Sequence, residues 1–181
     1  SGDRIGPVVT TGGRSVVVSD ICAEEGFQVP PLSAATHEEL SGFFSDIGGS
    51  FNNPLDMTPN SRDMTLTRRA LDILGKDENI DAVVYELGLG QLGSDWASRV
   101  KMLSEYREDL KKPLLVVLSS GTQEKEAVDM RQALQDQHVV VYPSFHRAIH
   151  AYRHLVDYYT NRFEVGVDGS DVVGPSPKRA P

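Results

Sequence analysis

From Ile5 onward, short β-rich runs alternate with amphipathic runs at helical spacing, and that alternation narrows the possible folds most. It is the pattern of a parallel sheet whose connections are helices packed on its faces. Ile5 to Thr10 reads as a first strand, shortened by Pro7, which has no amide to donate. Thr11-Gly12-Gly13 turns the chain into a helix over Arg14 to Glu25, with Val17, Val18, Ile21 and Cys22 on one face and Gly26 as its stop. Phe27-Gln28-Val29 is expected as a brief second strand, ended by Pro30-Pro31. Ser33 caps a helix to about Phe44, Thr36 and Glu39 are spaced for a capping box, and Ile47 to Pro59 reads as loop.

The second half repeats the alternation. Arg62 to Gly75 is helical, with Leu66, Ala70, Leu71 and Leu74 at core spacing, and Ile80 to Leu87 is a third strand covered on both faces. A helix capped by Ser94 runs to about Leu110, followed by a strand at Leu114 to Leu118. A helix capped by Thr122 runs to about Leu134, a last strand spans Val139 to Val141, and a closing helix ends near Phe163. Five strands and five or six helices with right-handed crossovers predict an α/β flavodoxin-like three-layer domain, its five-stranded parallel sheet in the order 2-1-3-4-5. Residues 1–163 make this one domain. Residues 164–181 turn to Gly, Asp, Ser and Pro and are expected to be a disordered tail or linker.

Composition excludes several function classes. A net charge of -8 argues against nonspecific binding to nucleic acid or anionic lipid. Cys22 is the single cysteine, so no intrachain disulfide forms and a reducing, cytoplasmic setting is expected, with the thiol buried and inert. No apolar run reaches the roughly 20 residues that span a bilayer, and Ser1 in place of Met suggests a processed or excised chain.

Ligands of open α/β sheets bind at the carboxyl ends of the strands, where strand order reverses. In the expected order that point lies between strands one and three, beside the loops Thr10 to Ser15, Asn52 to Asn60 and Gly88 to Gly93. In the first loop, free backbone amides and a helix dipole coincide at Thr11, Gly12 and Gly13, with Arg14 and Ser15 adding charge and a donor. It reads equally as a phosphate site or as a tight turn that binds nothing. It is neither a Walker loop nor a dinucleotide fingerprint. In the second loop, Pro54 stiffens the turn after Asn53, and Asp56 can bond backbone amides, a structural more than a catalytic placement. His146, His150 and His154 step by four along the closing helix, a spacing read as a solvated helix face rather than a metal site. No triad and no paired acid and base emerges. The chain carries no self-contained catalytic apparatus.

Four stretches, in order, resemble one family. TTGGRSVVVSDICAEEGFQVPPLS is similar to the opening of the second ligase-type subdomain of the nucleoside-diphosphate-forming acyl-CoA synthetases, the succinyl-CoA synthetase-like family. SFNNPLDMT resembles that subdomain's Asn-Pro-Leu/Val-Asp turn, DENIDAVVYEL its strand entry, and VVVYPSFHRAIHAYRHLVDYY its last strand and helix. This chain departs from the pattern in Pro7, in Thr-Thr-Gly-Gly where many relatives have Asn or a third Gly, and in the bulk of Arg14.

The resemblance implies a non-autonomous part of an acid–thiol ligase that interconverts acyl-CoA, phosphate and ADP with acid, CoA and ATP through a phosphohistidine. CoA, ATP or ADP, and Mg would belong to the full enzyme, with none bound by this domain alone. The CoA-binding, phosphohistidine and ATP-grasp domains would be its partners, and a homo-oligomer is compatible with this reading. The resemblance places Thr11, Gly12, Gly13, Arg14 and Ser15 against the phosphohistidine phosphate, with Asn53 and Asp56 in the cleft loop. The alternatives are a flavodoxin-like phosphate or FMN-binding module and a noncatalytic interaction domain.

Overall fold

The computed structural model describes residues 2–44, 48–88, 96–119 and 124–164. In chain order the elements are β1 Ile5–Val9, α1 Gly12–Glu24, α2 Ala34–Ser41, β2 Leu55–Asp56, α3 Met64–Lys76, β3 Ala82–Gly88, α4 Trp96–Asp109, β4 Leu114–Ser119, α5 Glu124–Asp136, β5 Val141–Tyr142 and α6 Phe145–Glu164. All neighbouring strands pair in parallel, in the order β2-β1-β3-β4-β5. The expected fold class is borne out. The proposed caps Ser94 and Thr122, and the tail beyond Glu164, lie outside the described residues.

Side chains alternate across a strand, so the central strands feed two cores. Val8, Val83, Tyr85, Val116 and Leu118 face a layer built by α2 to α5, with Leu40, Leu71, Leu74, Leu103 and Met130. Ile5, Val9, Val84, Leu115 and Val117 face the other layer, with Val18, Ile21 and Cys22 of α1 and Ile149 and Tyr152 of α6. Gly75 lets α3 and α4 approach closely: a Cβ there would lie 2.6 Å from Leu110 Cδ1 and 2.8 Å from the Tyr106 hydroxyl.

Two strands differ from expectation. Phe27-Gln28-Val29 is not the second strand. Gln28 makes one isolated bridge to Arg4, and Pro30-Pro31, having no amides, cannot extend it along β1. Instead the stretch read as loop supplies β2: Leu55 and Asp56 pair with Val8 and Val9. The edge of β1 is thus covered in two pieces, its lower end by Gln28 and its upper end by β2. Asn53 closes the seam between them, its Nδ2 donating to the carbonyls of Ile5 at 2.9 Å and Pro30 at 2.8 Å. The last strand is Val141–Tyr142 rather than Val139 to Val141, because Val139 belongs to the end of α5. Its amide donates to the Leu134 carbonyl at 2.9 Å, across His138 in the left-handed region at φ 58°.

That closure is a six-to-one helix cap, and α1 ends in the same way. The Phe27 amide donates to the Cys22 carbonyl at 2.7 Å across Gly26 at φ 76°. One cap uses the residue suited to positive φ and the other does not. Gly26→Ala is therefore expected to cost about 1 kcal/mol, and His138→Gly to add about 0.5–1 kcal/mol. Opposite shifts of the urea midpoint at constant slope check the pair; shifts of equal sign would refute it. A smaller difference concerns α2. Ser33 caps it by accepting from the Thr36 amide at 3.3 Å, but the helix ends at Ser41 rather than near Phe44.

Candidate anion site

β1 leaves the sheet between β2 on one side and β3 on the other, so α1 begins at the reversal of strand order. Thr11 is its N-cap, in extended backbone at φ -154° and ψ 146°, and its side chain caps nothing. The Arg14 amide reaches the Thr11 carbonyl at 3.0 Å. The amides of Gly12 and Gly13 occupy the first two helical positions, where a helix provides no internal acceptor. Both glycines are exposed, and a Cβ on Gly13 would meet no atom within 4 Å. Among the described residues, nothing closes the opening at Gly13. At Gly12 a Cβ would lie 3.3 Å from Asp56 Oδ2, a tight contact that this carboxylate would have to yield to.

The walls of this mouth are polar and mostly buried. Asp56, 6% exposed, accepts at Oδ1 from the Thr58 amide at 3.0 Å and the Thr58 hydroxyl at 2.6 Å. The same hydroxyl lies 3.0 Å from the Thr10 carbonyl, which joins the loop after β2 to the loop after β1. Glu86, 3% exposed at the carboxyl end of β3, accepts at Oε2 from the Thr10 amide at 3.3 Å and hydroxyl at 3.2 Å. Its Oε1 pairs with Arg14 Nε at 2.9 Å, and Arg14 also reaches Ser119 at the end of β4. Arg14 is thus tied sideways across the mouth to β3 and β4. With Arg14 balanced by Glu86, and Asp56 adding a second carboxylate, the mouth has no surplus cation among the described residues. Its attraction for an anion rests on bare amides and the α1 dipole.

The predicted site residues divide accordingly. Thr11, Gly12, Gly13 and Arg14 line the mouth, Asp56 stands beside Gly12, and Ser15 shows its carbonyl in use, accepting from the Ser19 hydroxyl at 2.8 Å. Asn53 lies away from the mouth, at the seam near Ile5. Of the third loop only Gly88 is among the described residues.

Glu86 was missed by the sequence reading, although an acid inside the apolar run Ala82 to Leu87 was a visible signal. Arg99 was missed too. It is 4% exposed in the first turn of α4 and donates to the Tyr85 hydroxyl at 3.0 Å and the Ser61 carbonyl at 3.2 Å, with no carboxylate paired to it among the described residues. The Ser61 hydroxyl in turn donates to the Thr58 carbonyl at 3.1 Å, so Arg99 braces the wall that carries Thr58. Burial pushes the Tyr85 phenol above its ordinary range, against the pull of Arg99.

Elsewhere, burial pushes the Cys22 thiol up to about 12, the state of an inert core residue. No helix among the described residues is long and apolar enough to cross a membrane, and no group of three or more metal-binding side chains gathers there.

No protein-family model matches the chain. A curated relative, the alpha subunit of acetate–CoA ligase (ADP-forming) I from Pyrococcus furiosus, is 29% identical over 153 residues, covering 83% of this chain and 31% of its own length. Among solved structures, a Pyrococcus horikoshii protein superposes with a TM-score of 0.73 at 20% identity, over 92% of this chain and 37% of that one. The dinucleotide-forming acetyl-coenzyme A synthetase 1 of Candidatus Korarchaeum cryptofilum, in complex with phosphate and ADP, superposes with a TM-score of 0.71 at 22% identity, over 92% of this chain and 35% of its own. The chain spans about a third of the length of the proteins it matches.

Proposed function

We propose that this chain, related to the nucleoside-diphosphate-forming acyl-CoA synthetases as its motifs implied, is a ligase subdomain that presents the uncapped start of α1 to a phosphoryl group carried by another domain. The observation that supports this most is the pair of bare amides at Gly12 and Gly13, exposed at the strand-order reversal with no side chain among the described residues closing them. Two backbone donors and the positive end of a helix stabilise negative charge without supplying a nucleophile or a proton. That is the role of a subdomain that stabilises a phosphohistidine phosphate and leaves the chemistry to its partners. Arg14, Thr11 and Ser15 flank the phosphate in this reading, and Asp56 holds the loop that forms the cleft wall. CoA, nucleotide and Mg are bound by the other domains of the synthetase.

Because the described residues of the mouth carry no net positive charge, free phosphate is expected to bind the isolated chain weakly, with Kd on the order of 1 mM or above. A phosphate titration followed by amide NMR is expected to shift Gly12 and Gly13 first, while Gly26, at the other end of α1, stays fixed. Equal shifts at both ends of the helix, or none at the mouth in tens of millimolar phosphate, would overturn the reading. So would acyl-CoA-dependent ATP formation by this chain alone.

A further inference from the structure

Away from the mouth, α6 carries two imidazoles in contact on its outer face. His150 and His154 are four residues apart, so they stand one above the other, and their Nε2 atoms are 3.0 Å apart. The second nitrogen of His150, Nδ1, lies 3.0 Å from Oε1 of Glu25, the residue that ends α1. An ionised carboxylate only accepts. In the uncharged ring, this contact puts the His150 proton on Nδ1 and leaves Nε2 as an acceptor. His154 Nε2 faces that acceptor, with the two rings crossed at 81° and their centroids 4.5 Å apart. Glu25 is held in register with α6 because Phe27, two residues on, stacks against Tyr152 at 5.3 Å.

We propose that His150 and His154 form a two-imidazole site for a divalent late transition metal, copper(II) or nickel(II), with Glu25 orienting His150 from outside the coordination shell. Two imidazole nitrogens bound to one metal at about 2.0 Å lie about 2.8–2.9 Å apart when cis on a square plane, and about 3.3 Å apart on a tetrahedron. The observed 3.0 Å is nearer the square-planar value. One rearrangement suffices. His154 transfers its proton from Nε2 to Nδ1 through solvent, and both Nε2 lone pairs then turn to a common point. Imidazole nitrogen selects these metals over magnesium and calcium, which take oxygen ligands. His150 has a side chain 59% exposed, so water completes the coordination and the metal exchanges with solvent. Arg153, between the two histidines in sequence, is already paired with Asp3 and Asp157.

Copper(II) titrated into the full chain, read by electron paramagnetic resonance, is expected to show one equivalent bound through two equatorial imidazole nitrogens. His154→Ala is expected to weaken binding at least about tenfold and leave one nitrogen. Glu25→Gln is expected to weaken it about tenfold or more with the nitrogen count unchanged, the effect of losing a partner that orients a ligand. His146→Ala, one turn earlier on α6, keeps the original affinity. All three histidines are exposed, so circular dichroism of each variant should match the unaltered chain. Unchanged copper affinity in a His150→Ala, His154→Ala double variant, or a loss in His146→Ala equal to that in His154→Ala, would overturn the assignment.

Discussion

Thr11→Asp is expected to make the domain more stable and, in the synthetase proposed above, to leave turnover nearly abolished. Thr11 already has the extended backbone of an N-cap but makes no side-chain cap. An aspartate there would accept from the amide of Gly13 or Arg14 and place a negative charge at the positive end of α1. Both effects favour the folded state, by about 0.5–1 kcal/mol together. The same carboxylate would occupy the donors and the space that the proposed phosphoryl group needs. Loss of one such donor costs other enzymes roughly a hundredfold or more in turnover, and like-charge repulsion adds to it. Thr11→Asn separates the two contributions, since it caps without charge and should fall between Thr11→Asp and the unaltered chain. Urea denaturation of the domain and steady-state turnover of the proposed synthetase carrying it check the result. Full turnover in Thr11→Asp would mean that the start of α1 receives nothing.

The second large effect is on stability and concerns Asn53. One amide group fills the gap in the edge of β1, satisfying carbonyls that belong to two different segments. Asn53→Ala removes the donor shared by both carbonyls and is expected to cost about 1–2 kcal/mol, since Ile5 is buried but Pro30 is only half-buried and the variant also removes the unpartnered Asn53 Oδ1. Asn53→Asp keeps the shape but turns a carboxylate oxygen toward two carbonyls, so its cost should exceed that of Asn53→Ala at neutral pH. The difference should shrink in acid, where a protonated aspartate regains one donor. A loss below about 1 kcal/mol for Asn53→Asp would remove the seam from this account.

These two positions mark where the sequence was legible. The glycine turn into α1 was readable because bare amides, missing Cβ atoms and a following helix are local properties of consecutive residues. The central strands were readable for a similar reason: Val83, Val84, Leu115 and Val116 are apolar on both faces. The edge was not readable. Phe27-Gln28-Val29 has more strand-like composition than Leu55-Asp56, yet β2 is decided by which segment can reach the upper half of β1 once Pro30-Pro31 ends the first attempt. His138 hid the end of α5, because a non-glycine residue at positive φ gives no signal in composition. The sideways tether of Arg14 was equally hidden, since it depends on Glu86, 72 positions along the chain, arriving at the same end of the sheet.

The two-piece cover on β1 also bears on how the protein behaves in a crowded solution. An open strand edge is an invitation for a stranger's backbone to add itself, and natural sheets blunt such edges with short strands and proline. Here that flank offers one bridge, one side-chain amide and two paired residues, interrupted by Pro30, Pro31 and Pro54. No stretch of it is long enough to serve as a template. The patchwork that made the strand hard to find from sequence is the same device that keeps this flank from seeding self-association.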